Sequence, residues 1–248
     1  MVLATLFHFA CKIMVLCLAG TGQSMTDIYN PSIHTRKKRV IVFDTETTGI
    51  LPYDRIITLG AVKIEGGELL TQSLYLIFDP RKDSSPQAEA VHGFDNWMTR
   101  YQDLFHELAA PIRKWFSWAD EVVAHNAQFD MHYIQREFRK AEVDMLDQPV
   151  YCTMDGARRL WRGDSTKLDH CLAKIGLART GHRHGALEDA YLTAGLYLHQ
   201  QGVAKPLPKI NSWQPPKNLK PYPERPAGEL PRRTPKRRSA AVSACSTV

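Results

Sequence analysis

The sequence predicts an α/β fold: a mixed five-stranded sheet flanked by helices, followed by a disordered tail. Three observations predict it. Three β-rich runs come first, with a two-glycine turn between the second and the third. Two shorter strand-like runs then alternate with helical patterns, the order expected of a mixed sheet with helices packed on it. Nine of the fifteen prolines fall after Gly202, which marks where regular structure ends.

Arg39 to Phe43 is an apolar, β-branched run closed by Asp44, and it reads as a central strand. Arg55–Glu65 and Leu69–Phe78 read as the next two strands. The Gly66-Gly67 turn joins them, so they form an antiparallel hairpin. Asp79 to Ser85 is a loop. From Asp103 to Trp118 apolar residues recur three and four apart at Leu104, Leu108, Ile112, Trp115 and Phe116, a helix that Pro111 would kink or split. Glu121–Ala124 is a short strand and Asn126–Ala141 a helix. Val150–Thr153 is a fifth strand, and Lys167–Ile175 and Ala186–Gln200 are the last two helices.

The 248 residues divide into an N-terminal extension (1–36), one domain (37–202) and a basic, Pro-rich tail (203–248). From Lys205 onward there are ten Lys/Arg against two Glu, so the net +6 of the chain lies in the tail and the body is slightly acidic. Such a tail cannot bury enough apolar surface to fold alone. The five cysteines are odd in number and form no CxxC pair, which argues against a disulfide framework or a zinc site. They read as reduced thiols in a cytoplasmic protein, with Cys152 and Cys171 buried. Val2 to Gly20 is largely apolar but is interrupted by His8 and Lys12. A secretory signal, an amphipathic helix and translated residues ahead of a start at Met25 all remain open, the last being preferred, and stable membrane insertion is not expected.

Asp44 and Glu46 end the first strand. Residues two apart on a strand point to one face, so their carboxylates project together. Two such charges repel unless a cation lies between them, and hard divalent ions take oxygen ligands of this kind. Asp130 falls in the first turn of a helix, where an acid also favours the helix dipole; Asn126 is placed to cap that helix. His184 and Asp189 are five apart, Gly185 ends any helix behind the histidine, and Asp189 starts the last helix facing the sheet. A histidine there can take a proton from a metal-bound water. His182 competes for that role but reads as a solvated loop residue.

Taken together, FDTETTG (43–49), HNAQFD (125–130) and HGALEDA (184–190) resemble, in order and separation, the three motifs of the DnaQ-like DEDDh 3′→5′ exonucleases. That family includes the epsilon proofreading subunits of bacterial DNA polymerase III. The resemblance extends over Arg39 to His199. VHGF (91–94) and KLDHCLAKIGL (167–177) are similar to two further family segments. It implies an RNase H-like fold and two divalent cations, Mg²⁺ or Mn²⁺, held by Asp44, Glu46, Asp130 and Asp189, with His184 as general base. Thr45, Thr47, Thr48, His92 and Asn126 are the residues it places against substrate. The implied reaction releases nucleoside monophosphates from single-stranded or frayed 3′ ends of DNA, in proofreading or repair. RNA trimming by the same chemistry is the alternative, because the cations see only phosphate. The tail would supply attraction to phosphates, or tether a DNA polymerase.

Overall fold

The computed structural model describes residues 36–203, 207–208 and 213–233. The readings of Val2–Gly20 lie outside them. One sheet has the order β3-β2-β1-β4-β5, built from β1 (Arg39–Thr47), β2 (Ile56–Glu65), β3 (Glu68–Ile77), β4 (Glu121–Ala124) and β5 (Val150–Cys152). β1, β2 and β3 are antiparallel, while β4 runs parallel to β1 and β5 parallel to β4. Gly66 and Gly67 both take positive φ, 58° and 81°, as a two-residue hairpin turn requires.

β1 is central because it is apolar on both faces. Ile41 and Phe43 enter a core with Ile112 and Phe116 of α3 (Phe105–Phe116) and Tyr133, Ile134 and Phe138 of α4 (Ala127–Lys140). Val40 and Val42 enter a second core with Tyr191, Ala194 and Leu198 of α7 (Ala186–Gln200). The far side of α7 is covered by α5 (Thr153–Leu160) and α6 (Leu168–Lys174) through Ala157, Cys171, Leu172, Leu192 and Leu196. Covered on both sides, α7 is buried from Ala186 to Leu198, which is why it shows little polar face.

The elements differ from expectation in a few places. Pro111 neither splits nor ends α3. It lies on the exposed side, where the carbonyl that loses its partner can turn to water. Three helices were not anticipated: α1 (Pro86–His92), α2 (Asn96–Thr99) and α5. The start of α1 was signalled, since Ser85 accepts from Ala88 N and Pro86 occupies the first turn. Cys171 is buried as expected, but Cys152 is only partly so. Among the described residues no helix is long and apolar enough to cross a membrane.

Within the expected disordered tail, residues 213–233 form no helix or strand, in keeping with their prolines, yet they lie against the body. Lys217 N donates to Tyr75 O at 2.8 Å. The Asn218 amide accepts from Ile77 N (2.9 Å) and donates to Ile77 O (2.7 Å). The segment thereby pairs backbone groups on the open edge of β3. Proline pre-sets an extended backbone, so docking such a segment costs less conformational entropy than its composition suggests.

Candidate active site

β1 outruns β4. It pairs with β4 only from Val40 to Val42, whereas its pairing with β2 continues to Thr47. Beyond Ala124 the chain turns through Asn126, in the left-handed region at φ 61°, and enters α4. The flank of β1 that β4 vacates is filled by the first turn of α4. There Thr45 N and Thr45 Oγ1 both donate to Asp130 Oδ1, at 2.9 and 2.7 Å. A backbone N–H without a strand partner thus fixes the acid. The Asn126 side chain makes no capping hydrogen bond, because the left-handed backbone turns it out of reach.

Asp44 and Glu46 continue the Val40–Val42 face, toward α7. Across the ladder from Asp44 stands Gly60. A Cβ there would lie 2.2 Å from Ala186 C and Leu187 N. The start of α7 therefore rests directly on the sheet, and Asp189 in its first turn is brought to the carboxylates of β1. Arg179, on the loop before α7, donates from Nε to Asp189 Oδ1 (2.6 Å) and from Nη2 to Oδ2 (2.9 Å), and it also pairs with Asp169. His184 Nδ1 lies 3.6 Å from Asp189 Oδ2, and its backbone N–H bonds to Val91 O at 3.0 Å, tying its loop to α1.

The acids disturb one another. Desolvation, then the charges of Asp130, Asp189 and Glu46, hold Asp44 well above the usual carboxylate range. Burial and the charges of Asp189 and Asp130 push Glu46 up to about 8. Burial lifts Asp130 to about 7 against the two Thr45 hydrogen bonds. Burial also raises Asp189, while Arg179 opposes it. Glu46 Oε1 is buried with no hydrogen-bond partner. Glu46, His184 and Asp189 each offer a ligand atom, all within 4.8 Å of one another. Like charges confined together, with an oxygen left unpaired, fit hard divalent cations.

Glu46, Thr47, Thr48 and His92 line a cavity of about 680 Å³ that also exposes Ile50, Leu51, Val91 and Phe129. Within it, Thr47 Oγ1 donates to Gly49 O at 2.6 Å and Thr48 Oγ1 to Asp54 Oδ1 at 2.9 Å, so both hydroxyls brace their own loop. Thr45 turns to Asp130 instead. Asn126 lines a shallower hollow that shares Ile50 and Phe129 with the cavity. His92 Nδ1 accepts from Phe94 N at 3.0 Å, which leaves the ring proton on Nε2, a buried atom without a partner. His182 is exposed.

Sequence reasoning missed Arg179 and Gly60. A lone arginine in a loop gives no signal. Gly60 did give one, since a glycine inside a strand marks a close backbone approach.

The family described as exonuclease matches residues 41–197. DNA polymerase III subunit epsilon of Rickettsia felis is 29% identical over 171 residues, 66% of this chain and 74% of the relative. That of Haemophilus influenzae is 30% identical over 174 residues, 66% of this chain and 68% of the relative. Among solved structures, exonuclease X in complex with 5′-overhanging duplex DNA matches with a TM-score of 0.54 at 25% identity, over 66% of this chain and 92% of that one. Escherichia coli exonuclease I in complex with a dA16 oligonucleotide gives 0.59 at 18% identity, over 67% and 41% of the two chains, a likeness of fold. The sheet and its helices are those of an RNase H-like exonuclease fold.

Proposed function

Because this chain belongs to the exonuclease family, we propose that it is a DEDDh-type 3′→5′ exonuclease that removes nucleoside monophosphates from single-stranded or frayed 3′ ends of DNA. One observation carries the reading: three separate elements, β1, α4 and α7, bring Asp44, Glu46, Asp130 and Asp189 into one interacting cluster with His184 beside it.

In this reading the four carboxylates hold two divalent cations, Mg²⁺ or Mn²⁺. When bound, such cations act as Lewis acids on the scissile phosphate and offset the charge that builds up on it. His184 is the general base. Its Nδ1 faces Asp189, so Nε2 is the nitrogen that takes the proton of the attacking water. Thr45 keeps Asp130 in place, and Arg179 orients Asp189. The cavity has the size of a small-molecule site. Its apolar part, with Ile50, Leu51 and Phe129, takes the terminal base and sugar, and the His92 ring forms part of its wall.

DNA is preferred because the exonuclease X structure holds DNA and the relatives are subunits of a DNA polymerase. Association with a polymerase belongs to the same proposal. A pull-down with the full chain should recover the polymerase, and a chain ending at Arg233, which keeps the docked segment, tests whether residues 234–248 are the tether. The central test sets labelled single-stranded DNA against RNA, with Mn²⁺ and with chelator. Metal-dependent release of mononucleotides from the 3′ end, faster on DNA, is expected. Internal cuts, or release that persists in chelator, would overturn the mechanism, and faster loss of RNA would overturn the substrate.

A further inference from the structure

The docked segment 213–233 builds a second hollow beside the cavity. It encloses about 420 Å³ between Arg81, Trp97, Arg100 and Tyr101 of the body and Arg232 and Arg233 of the segment. The Trp97 and Tyr101 rings stand edge to face with centroids 4.9 Å apart, and the Arg100 guanidinium lies 6.0 Å from the Trp97 centroid. Two carboxylates fix the arginines. Asp83 pairs with Arg100 at 2.7 Å and with Arg233 at 2.8 Å, and Asp79 pairs with Arg233 at 2.6 Å and with Arg81 at 3.3 Å. Four guanidinium groups against two carboxylates leave an excess of positive charge around two aromatic rings. Arg232 is exposed.

The hollow and the cavity share one loop. Lys82 and Asp83 line the cavity, whereas Arg81 lines the hollow. Arg233 braces that loop by donating to Lys82 O at 3.2 Å. Trp97 Nε1 donates to Pro223 O at 2.8 Å, so the segment also holds one of the two rings. The cavity and the hollow therefore adjoin at residues 81–83.

We propose that the hollow is a subsite for single-stranded DNA, taking a backbone phosphate on Arg232 and a base against Trp97 and Tyr101, upstream of the 3′ end. It rests on the exonuclease reading for its ligand. A free phosphate would use Arg232 but not the rings, whereas a single strand offers a phosphate and a flat base at each step. The C-terminal segment is then part of the substrate track, and its basic charge lies where the slightly acidic body needs it.

The test follows a labelled strand of about fifteen thymidines by fluorescence anisotropy in chelator, where nothing is cut, across a salt series. Arg232→Glu and Tyr101→Ala should each weaken binding roughly five- to twentyfold, and Arg232→Glu should also flatten the salt slope by about one. For nucleotide release from a thymidine dinucleotide with Mn²⁺, KM and kcat should stay within about twofold, since it carries only one nucleoside upstream of the scissile bond. Unchanged affinity in both variants, an equal loss on the dinucleotide, or no binding by the unaltered chain in chelator would overturn the subsite. Failure of the exonuclease reading looks different: the unaltered chain would release no nucleotide from either substrate with Mn²⁺. Arg232 is exposed, so its variant tests the idea even if Tyr101→Ala unfolds.

Discussion

Replacing Glu46 by Gln keeps the shape of a buried side chain and removes a charge that its surroundings resist. Burial and the neighbouring acids move the Glu46 carboxyl from 4.5 to about 8. A carboxyl whose folded value is raised holds its proton more tightly in the folded state. Its contribution to stability is therefore lost as pH climbs from the ordinary value through about 8. At roughly 1.4 kcal/mol per unit, the penalty is about 1 kcal/mol at pH 5 and about 4 kcal/mol at pH 8. The second figure is a ceiling, because Asp44, Asp130 and Asp189 share the same repulsion. Since Glu46 Oε1 has no donor, the amide oxygen loses no bond there. In chelator at pH 8, Glu46→Gln should melt on the order of 10 °C above the unaltered chain, and at pH 5 only a few degrees above it. Adding Mn²⁺ should stabilise the unaltered chain more than the variant, and the variant should release no nucleotide. Scanning calorimetry at the two pH values, with and without metal, reads all of this. A variant that melts lower at pH 8 in chelator, or that shifts equally at both pH values, would refute the claim that this acid is held against its neighbours.

Other outcomes follow from the same geometry. His184→Ala should slow nucleotide release by about 10²- to 10⁴-fold yet keep the Mn²⁺-induced rise in melting temperature; loss of that rise would make His184 a ligand instead of the base. His92 is lowered from 6.5 to about 4 by burial, so the folded state resists its protonation and stability should fall as pH drops from about 6.5 toward 4. The loss is about 2 kcal/mol at pH 5, and denaturant titrations should show it disappear in His92→Gln. Gly60→Ala drives a methyl group into the backbone of α7 and should cost about 3 kcal/mol or more, with activity falling further than stability because Asp189 moves; a fully active variant would show that α7 does not need this contact.

The strands and the main helices were legible because burial writes itself into sequence period. The run Val40–Phe43 is apolar at every position because both its faces are covered, and the paired glycines announced the hairpin. Short helices such as α1 and α2 were not legible, since seven and four residues hold too few turns for a pattern to show. The positions of Asp44, Glu46, Asp130, Asp189 and His184 could be proposed because three motifs recur together, and no single one carried that weight. Arg179 escaped because its importance is wholly tertiary: it matters through two oxygens of Asp189, ten residues away. The contacts of the tail were not legible for the opposite reason. Its prolines exclude regular structure, and they do not exclude contact, because residues 213–233 find partners in the edge of β3 rather than in one another.

The supports of the four acids are unequal, and the inequality bears on how the site works. Asp130 is fixed by two donors from Thr45, and Asp189 by two from Arg179. Glu46 has a buried oxygen that meets no donor at all. Two acids are therefore held in place by donors, while the charge of Glu46 is relieved only by a proton or, in the proposed reading, by a cation. The three elements involved meet because β1 runs on past β4 and because Gly60 admits α7 to the sheet. Were β4 as long as β1, a strand would pair with Thr45 N and exclude Asp130. Were Gly60 any larger residue, the start of α7 would stand off and carry Asp189 with it. The site thus depends on two places where the sheet is incomplete, one missing a strand and the other a side chain, and both gaps are filled by helix N-terminal turns carrying an acid.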